Sequence, residues 1–339
     1  MTMKQCIEKC LAGENLTADE ASGALELIMT NQATEAQIAG LLIALRAKGE
    51  TVDELVGFAR TMREKSVKVQ IDDPQAIDMC GTGGDGLGTF NISTLASLVA
   101  AGAGVTVAKH GNRSVSSRSG SADLLSALGV NIQLSPEKAG ECINDVGVGF
   151  LFAPLFHPAM KYAAKPRTEL GVRTIFNMLG PITNPAGVKN QVIGTYESDV
   201  ASRLAGALSH LLTDRACVLH SDDGMDEVSV SGETTVFEVG SKSLKRRYNL
   251  GPGSFGLTAR PVGAVRGGSA DENAAIARRV LDNERGPYRD VVVANAALGI
   301  YVAGKATGLL DATAMAGESI DSGRAGDTLK RLVEFTTRP

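Results

Sequence analysis

The chain has 339 residues, 43% of them hydrophobic and 21% charged, with a net charge of −4. That length suits two domains, or one large domain with a smaller one attached. The mildly acidic balance, with no long basic run, excludes a general nucleic-acid binder. Aromatics are 4% with no Trp, so the core is expected from Ala, Val, Ile, Leu and Met; 39 glycines imply many tight turns. Cys6, Cys10, Cys80, Cys142 and Cys217 are scattered with no CxxC, which points to free thiols in a reducing compartment and no zinc site. Residues 1–10 carry no signal pattern. The longest near-apolar stretches, 95–108 and 291–304, are 14 residues each, short of the roughly 20 a membrane span needs. The expected location is the cytoplasm.

Residues 3–66 read as helices. Thr17 followed by Glu20 is a capping-box start, and 34–48 and 52–63 look like two further helices. From residue 76 short apolar runs alternate with helix-like stretches. Strands are expected at 76–79, 105–108, 131–134 and 147–152, and helices at 92–103, 121–128 and 136–146. Such alternation predicts an α/β domain with a mostly parallel sheet. Residues 157–179 read as helical again, a return to the small helical part. Then 191–195, 201–212 and 216–219 resume β-α-β, 228–239 reads as a hairpin around Ser231, Gly232 and Glu233, and 270–283, 291–302 and 327–335 as helices. The expected domains are a helical one at 1–70, joined by about 157–190, and an α/β one at 71–339.

The densest chemical signal is the run from Gly81 to Thr94, with Gly83, Gly84, Asp85, Gly86, Gly88, Thr89, Asn91, Ile92 and Ser93 between. A strand enters a glycine-rich turn and leaves it through small polar residues at a helix start. Exposed backbone N–H groups and a helix N-terminus make an anion site, most often for phosphate. It lacks the Gly-Lys-Ser/Thr ending of a P-loop. No acidic residue stands about 20 positions on, as a dinucleotide site wants.

A second loop, Lys109-His110-Gly111-Asn112-Arg113-Ser114-Val115-Ser116-Ser117, follows the expected strand 105–108, where ligands of open α/β sheets gather. Ser121 extends it. His110 reads equally well as a structural hydrogen bonder. A third signal is acidic: Asp222, Asp223, Asp226 and Glu227 crowd one strand-end loop. Hard oxygen ligands there suit magnesium, which is commonly held by one or two carboxylates plus substrate phosphate oxygens. The stretch from Lys165 to Pro181, with Arg167 and Arg173, is chemically quiet apart from arginine's aptness for carboxylates. Nothing forms a nucleophile-and-base constellation, and no Gly-x-Ser-x-Gly occurs.

Taken together these motifs resemble the anthranilate phosphoribosyltransferase family over essentially the whole chain. The resemblance rests on 81–85, 91–94, 109–113, 120–123, His157-Pro158-Ala159-Met160, 173–181 and Asp226-Glu227. One departure is Pro166, where the family more often has valine. The resemblance implies a nucleoside-phosphorylase-like fold, a homodimer, and an active site at the hinge between a small helical and a large α/β domain. It implies that Gly81, Gly84, Asp85, Thr89, Asn91, Ile92, Ser93, Thr94, Lys109 to Ser117 and Ser121 hold phosphoribosyl pyrophosphate. Ser93, Asp226 and Glu227 would hold Mg2+, two ions with substrate bound. Gly81, Asn112 and Arg167 would contact anthranilate, Arg167 at its carboxylate, and Lys109, Asn112 and Arg167 would act in catalysis. The rivals are a pyrimidine nucleoside phosphorylase and a non-catalytic nucleic-acid-binding fold relative.

Overall fold

The computed structural model describes residues 1–114, 118–211, 213–240 and 243–338. It opens with four helices, α1 (Met3–Leu11), α2 (Ala18–Met29), α3 (Glu35–Lys48) and α4 (Val52–Lys65). Each begins the same way. Thr2, Thr17, Thr34 and Thr51 accept the N–H three residues on, and Gln5, Glu20, Gln37 and Glu54 reach back to the cap's own N–H. Each cap of this kind stabilises a helix start by about 1 kcal/mol. Glu54 does more. Fully buried, it also accepts the Leu16 N–H at 2.9 Å and pairs with Lys48 at 3.0 Å.

The sheet begins with β1 (Ile77–Gly81), followed by α5 (Ile92–Gly102), β2 (Val107–Gly111), α6 (Ser121–Ala127), α7 (Pro136–Val146) and β3 (Val148–Phe152). Short helices follow: α8 (Ala153–Phe156), α9 (Lys161–Leu170) and α10 (Phe176–Leu179). Then come β4 (Asn190–Gly194), α11 (Ser198–Ser209), β5 (Arg215–Ser221), β6 (Thr234–Gly240) and β7 (Ser243–Leu250). The chain closes with α12 (Ala270–Leu281), α13 (Pro287–Val302), α14 (Leu309–Asp321) and α15 (Arg324–Thr337). Strand order is β3-β2-β1-β4-β5-β6-β7. The first five strands are parallel and the last two antiparallel. The chain therefore winds outward from β1 in one direction and, beginning with β4, in the other. The crevice above β1 and β4 is where such sheets bind ligands.

Side chains alternate across the strands. Cys217 and Leu219 of β5 face a core built on α5 and α13, while Ala216 and Val218 face the other way. Helix α13 is buried nearly all round, as its near-apolar run dictates; Asn295 within it donates to the Val228 and Val291 carbonyls. On the second face the core is shared. Leu55 and Phe58 of α4, Leu204 and Leu208 of α11, and Val218 and Val239 belong to one cluster. Segment 163–182 joins it through Ala163, Phe176 and Ile182.

Four expectations are corrected. Residues 131–134 form no strand; Asn131 donates its N–H to Thr336 of α15 and accepts the Gln133 N–H, so the segment is an irregular connection. The hairpin is β6 with β7, not a turn around Ser231. Residues 229–231 instead fold onto Asp223, whose Oδ2 accepts the Ser229 and Ser231 hydroxyls. Strand β2 starts at Val107 and runs to Gly111, so Lys109 and His110 lie within it, not after it. Helix α14 was not anticipated. Its apolar stripe is thin, Ala312, Ala316 and Ile320, because it packs closely by small residues.

Candidate active site

The ends of β1 and β4 are Gly81 and Gly194, paired in register. Both are glycine for the same reason. A Cβ on Gly194 would overlap the Asp226 main-chain oxygen, and one on Gly81 would lie 2.7 Å from Asp226 Oδ2. The loop after β5 thus wedges Asp226 over the crevice. Its Oδ2 accepts the Gly83 N–H at 2.9 Å, which ties the acid to the glycine turn. Gly83, Gly84, Gly86 and Gly88 all have positive φ, so this turn needs them for its path as well as for room.

Three carboxylates crowd here. Burial and then the neighbouring Asp85 push the Asp226 carboxyl up; burial and then Asp226 push Glu227 up. Asp85 Oδ2 is buried with no hydrogen-bond donor on it among the described residues. Uncompensated acids made of hard oxygen donors fit a divalent cation such as Mg2+. Among the described residues no group of three His, Cys, Asp or Glu forms a metal cage unaided. Glu227 Oε1 accepts the Ser93 N–H at 2.9 Å, which brings Ser93 and Glu227 together with Asp226 next in the chain.

Lys109 rises from β2 beneath them. It is buried, donates to the Met79 carbonyl, and lies 3.5 Å from Ser93 Oγ. Its charge holds down the pKa values of both Glu227 and Asp78 against their burial. Asp78, pushed up to about 6 by that burial, accepts the His110 N–H and the Asn184 amide. His110 itself is turned inward. Its Nδ1 meets the Gly180 carbonyl at 3.1 Å, its ring lies 5.2 Å from that of His157, and burial then the His157 charge push it down to about 3. A neutral, enclosed ring matches the structural reading of that residue.

The loop beyond β2 closes on itself. Ser121 Oγ donates to the Asn112 carbonyl at 3.2 Å, and Asp123 gathers Arg113, the Ser114 N–H and the Gly120 N–H. Val115, Ser116 and Ser117 lie outside the described residues. Asn91 bonds this loop, donating to the Ser119 carbonyl at 3.0 Å. Thr89 forms an antiparallel bridge with Arg266. Ile92 and Thr94 are buried at the start of α5.

Arg167 stands on α9, 5.1 Å over the Phe176 ring, and burial alone pulls its pKa below the usual arginine value. A half-buried guanidinium so placed suits an anionic ligand. Pro166 sits inside α9 without ending it; the helix runs on to Leu170. Two residues that sequence reasoning gave no role also shape the site. Arg173 donates to the Gly84 carbonyl while stacking 3.8 Å over Tyr196, so it pins the glycine turn to the 171–176 segment. Asn273 of α12 bonds Asn91 at 3.0 Å. Arg173 could have been found from its place in the 173–181 motif; nothing local to Asn273 signals it.

Residues 73–326 match the glycosyl transferase family a/b domain, and residues 4–66 match the helical bundle domain of that family. An anthranilate phosphoribosyltransferase of Pelotomaculum thermopropionicum is 53% identical over 334 residues, covering 98% of this chain and 96% of the relative. That of Moorella thermoacetica is 51% identical, covering 98% of each. Among solved structures, the Thermus thermophilus anthranilate phosphoribosyltransferase superposes with a TM-score of 0.93 at 45% identity, over 98% of this chain and 99% of that one. The Saccharomyces cerevisiae enzyme in complex with PRPP and Mg gives 0.91 at 28% identity, over 99% and 98%.

Proposed function

The chain belongs to the anthranilate phosphoribosyltransferase family, and from that membership we propose how its residues divide the work. It transfers the phosphoribosyl group of phosphoribosyl pyrophosphate to the amine of anthranilate, in tryptophan biosynthesis, with Mg2+ as cofactor. The relatives carry neither the phosphorylase nor the nucleic-acid reading. In our reading, Gly81, Gly84, Asp85, Thr89, Asn91, Ile92, Ser93, Thr94, Lys109, Gly111 to Ser114 and Ser121 receive phosphoribosyl pyrophosphate, while His110, with its N–H on Asp78 and its ring on Gly180, supports the strand that carries them. Ile92 contributes backbone only, since its side chain is buried in the core. Ser93, Asp226 and Glu227 would hold the metal, with two ions when substrate is bound. Asn112, Gly81 and Arg167 would receive anthranilate, Arg167 at the carboxylate.

The reaction is substitution at the anomeric carbon. The amine lone pair forms the C–N bond, the C–O bond to pyrophosphate breaks with its electrons passing to oxygen, and one N–H proton leaves to solvent. Negative charge therefore grows on the leaving group. Lys109, fixed in β2, and the N–H groups of the glycine turn are donors held in place before that charge appears. Bound magnesium would add further neutralisation there. An arylamine is neutral near neutral pH, so it needs alignment with the sugar carbon more than a base.

The observation that carries this reading is the Asp226 wedge at the Gly81–Gly194 crevice, which sets an acid pair beside a phosphate-suited turn. Anthranilate fluorescence followed with phosphoribosyl pyrophosphate tests it. The expected result is loss of signal only when protein, sugar substrate and magnesium are all present; no loss with folded protein rejects it.

None of the helices among the described residues is long and apolar enough to cross a membrane. We place the protein in the cytoplasm as a homodimer; the five free cysteines support a reducing compartment.

A further inference from the structure

Asn273 is 1% exposed, far from any surface role. Its Oδ1 accepts the Gly268 N–H at 2.8 Å, and its Nδ2 donates to Asn91 Oδ1 at 3.0 Å. Asn91 Nδ2 in turn donates to the Ser119 carbonyl at 3.0 Å. Two backbone groups fix the polarity of this chain. An N–H can only donate and a carbonyl can only accept, so both amides are oriented one way and not the other.

The surroundings hold the relay in place. Gly267 bonds the Gly88 carbonyl at 2.9 Å, and Phe90 bonds the Val265 carbonyl at 3.3 Å, so residues 265–267 line the far leg of the glycine turn. A Cβ on Gly267 would lie 2.6 Å from both Asn273 Oδ1 and the Phe90 nitrogen. Ser269 caps α12 just before Asn273 by accepting the Glu272 N–H, which fixes the helix start.

Asn91 Oδ1 accepts from Asn273 Nδ2 and, at 3.2 Å, from the Ser119 hydroxyl, while among the described residues the second amide N–H of half-buried Asn91 has no acceptor and is left for a ligand. We propose that Asn273 is a positioning residue for the phosphoribosyl pyrophosphate site, holding the Asn91 amide so that the anion meets a donor and not a carbonyl oxygen. This rests on the transferase reading above.

Asn273→Asp is the discriminating change. A carboxylate keeps the acceptor for Gly268 but has no N–H for Asn91. A carboxylate oxygen then faces Asn91 Oδ1, acceptor against acceptor, so the amide is pushed off its set position and only Ser119 still holds it. The expected result is an affinity for phosphoribosyl pyrophosphate, measured by calorimetry with magnesium, weakened about tenfold or more. Its KM should rise in step, with the anthranilate KM within about twofold of wild type. In an Asn91→Ala background, Asn273→Asp should add little, because the group it acts through is gone. Asn273→Ala, which removes the orienting donor without adding charge, should give a smaller loss of the same kind. An unchanged affinity in folded Asn273→Asp overturns the proposal. So does an equal loss with and without Asn91. Should the Asp variant not fold, Asn273→Ala decides alone: equal losses in the two backgrounds overturn the role and a loss confined to the Asn91 background supports it. Wild-type protein that takes up no phosphoribosyl pyrophosphate defeats the transferase reading and this role with it, whereas normal wild-type uptake with indifferent variants defeats only the role.

Discussion

Asp226 occupies the space that a side chain on Gly194 would need: a Cβ there would overlap its main-chain oxygen. The strand end and the acidic loop therefore exclude each other's alternatives. Gly194→Ala forces the 225–227 loop outward and moves the acid off the Gly83 N–H. A displacement of about 1 Å in such a site costs on the order of a hundredfold in kcat. Steady-state rates beside a thermal melt check this; full activity in Gly194→Ala means that the loop tolerates displacement.

Removing the acids probes the metal directly. Asp226→Ala with Glu227→Ala is expected to lower kcat and to raise the magnesium concentration needed for half-maximal rate. A magnesium titration of the double variant that overlays the wild-type curve rejects both residues as ligands.

Arg167→Ala should raise the anthranilate KM by about tenfold to a hundredfold, the range for losing one charge-assisted hydrogen bond, with less effect on the sugar substrate. Arg167→Lys should recover only part, since a lysine cannot reproduce the planar fork or its position over Phe176. An unchanged anthranilate KM in the alanine variant removes the role.

Arg173 joins the glycine turn to the segment before α10 through the Gly84 carbonyl and the Tyr196 ring. Arg173→Ala frees that turn, and the KM for phosphoribosyl pyrophosphate should rise by about tenfold. If the anthranilate KM alone responds, the turn is held by something else.

Acid sensitivity should be traceable to the buried imidazoles. His110 is pushed down to about 3 and His157 to about 4, chiefly by burial, against an ordinary 6.5. The unfolded chain thus binds more protons than the folded one below pH 6.5, so their contribution is complete above that value and lost as pH falls through the window. Asp78, raised to about 6, acts in the opposite direction between there and 3.8. The His110→Asn, His157→Asn double variant should be less stable than wild type at pH 7 and close the gap toward pH 4. Urea midpoints at pH 7, 5.5 and 4 give the answer; a gap constant with pH rejects the imidazoles as its source.

The parts of this molecule that were readable in advance are those whose cause is local. The glycine turn announces its own geometry, and Thr17 with Glu20 spells a helix start within four positions. What escaped depends on distant partners. Asn273 meets Asn91 across 182 positions. The charged strand β7 exists because β6 offers it an edge. The alternation at 228–239 was real, but its first half serves a serine cluster on Asp223, which no period-two pattern distinguishes from a strand. Lys109 and His110 looked like loop residues because they are polar; their burial is tolerated by the Met79 and Gly180 carbonyls, which a sequence does not place beside them.

The N-terminal helices pack their apolar residues together, among them Leu25, Leu41 and Leu55, and extend that cluster onto the sheet. Phe58 packs edge-on to Phe176 at 6.0 Å, a Cβ on Gly206 would meet Val52 at 2.8 Å, and Arg63 donates to the carbonyls of Ile182 and Leu211. Cut away at residue 66, they would lose the sheet face that completes their cluster. The helical bundle and the sheet thus share one apolar cluster, so any movement of one against the other must keep that face covered or expose it to water.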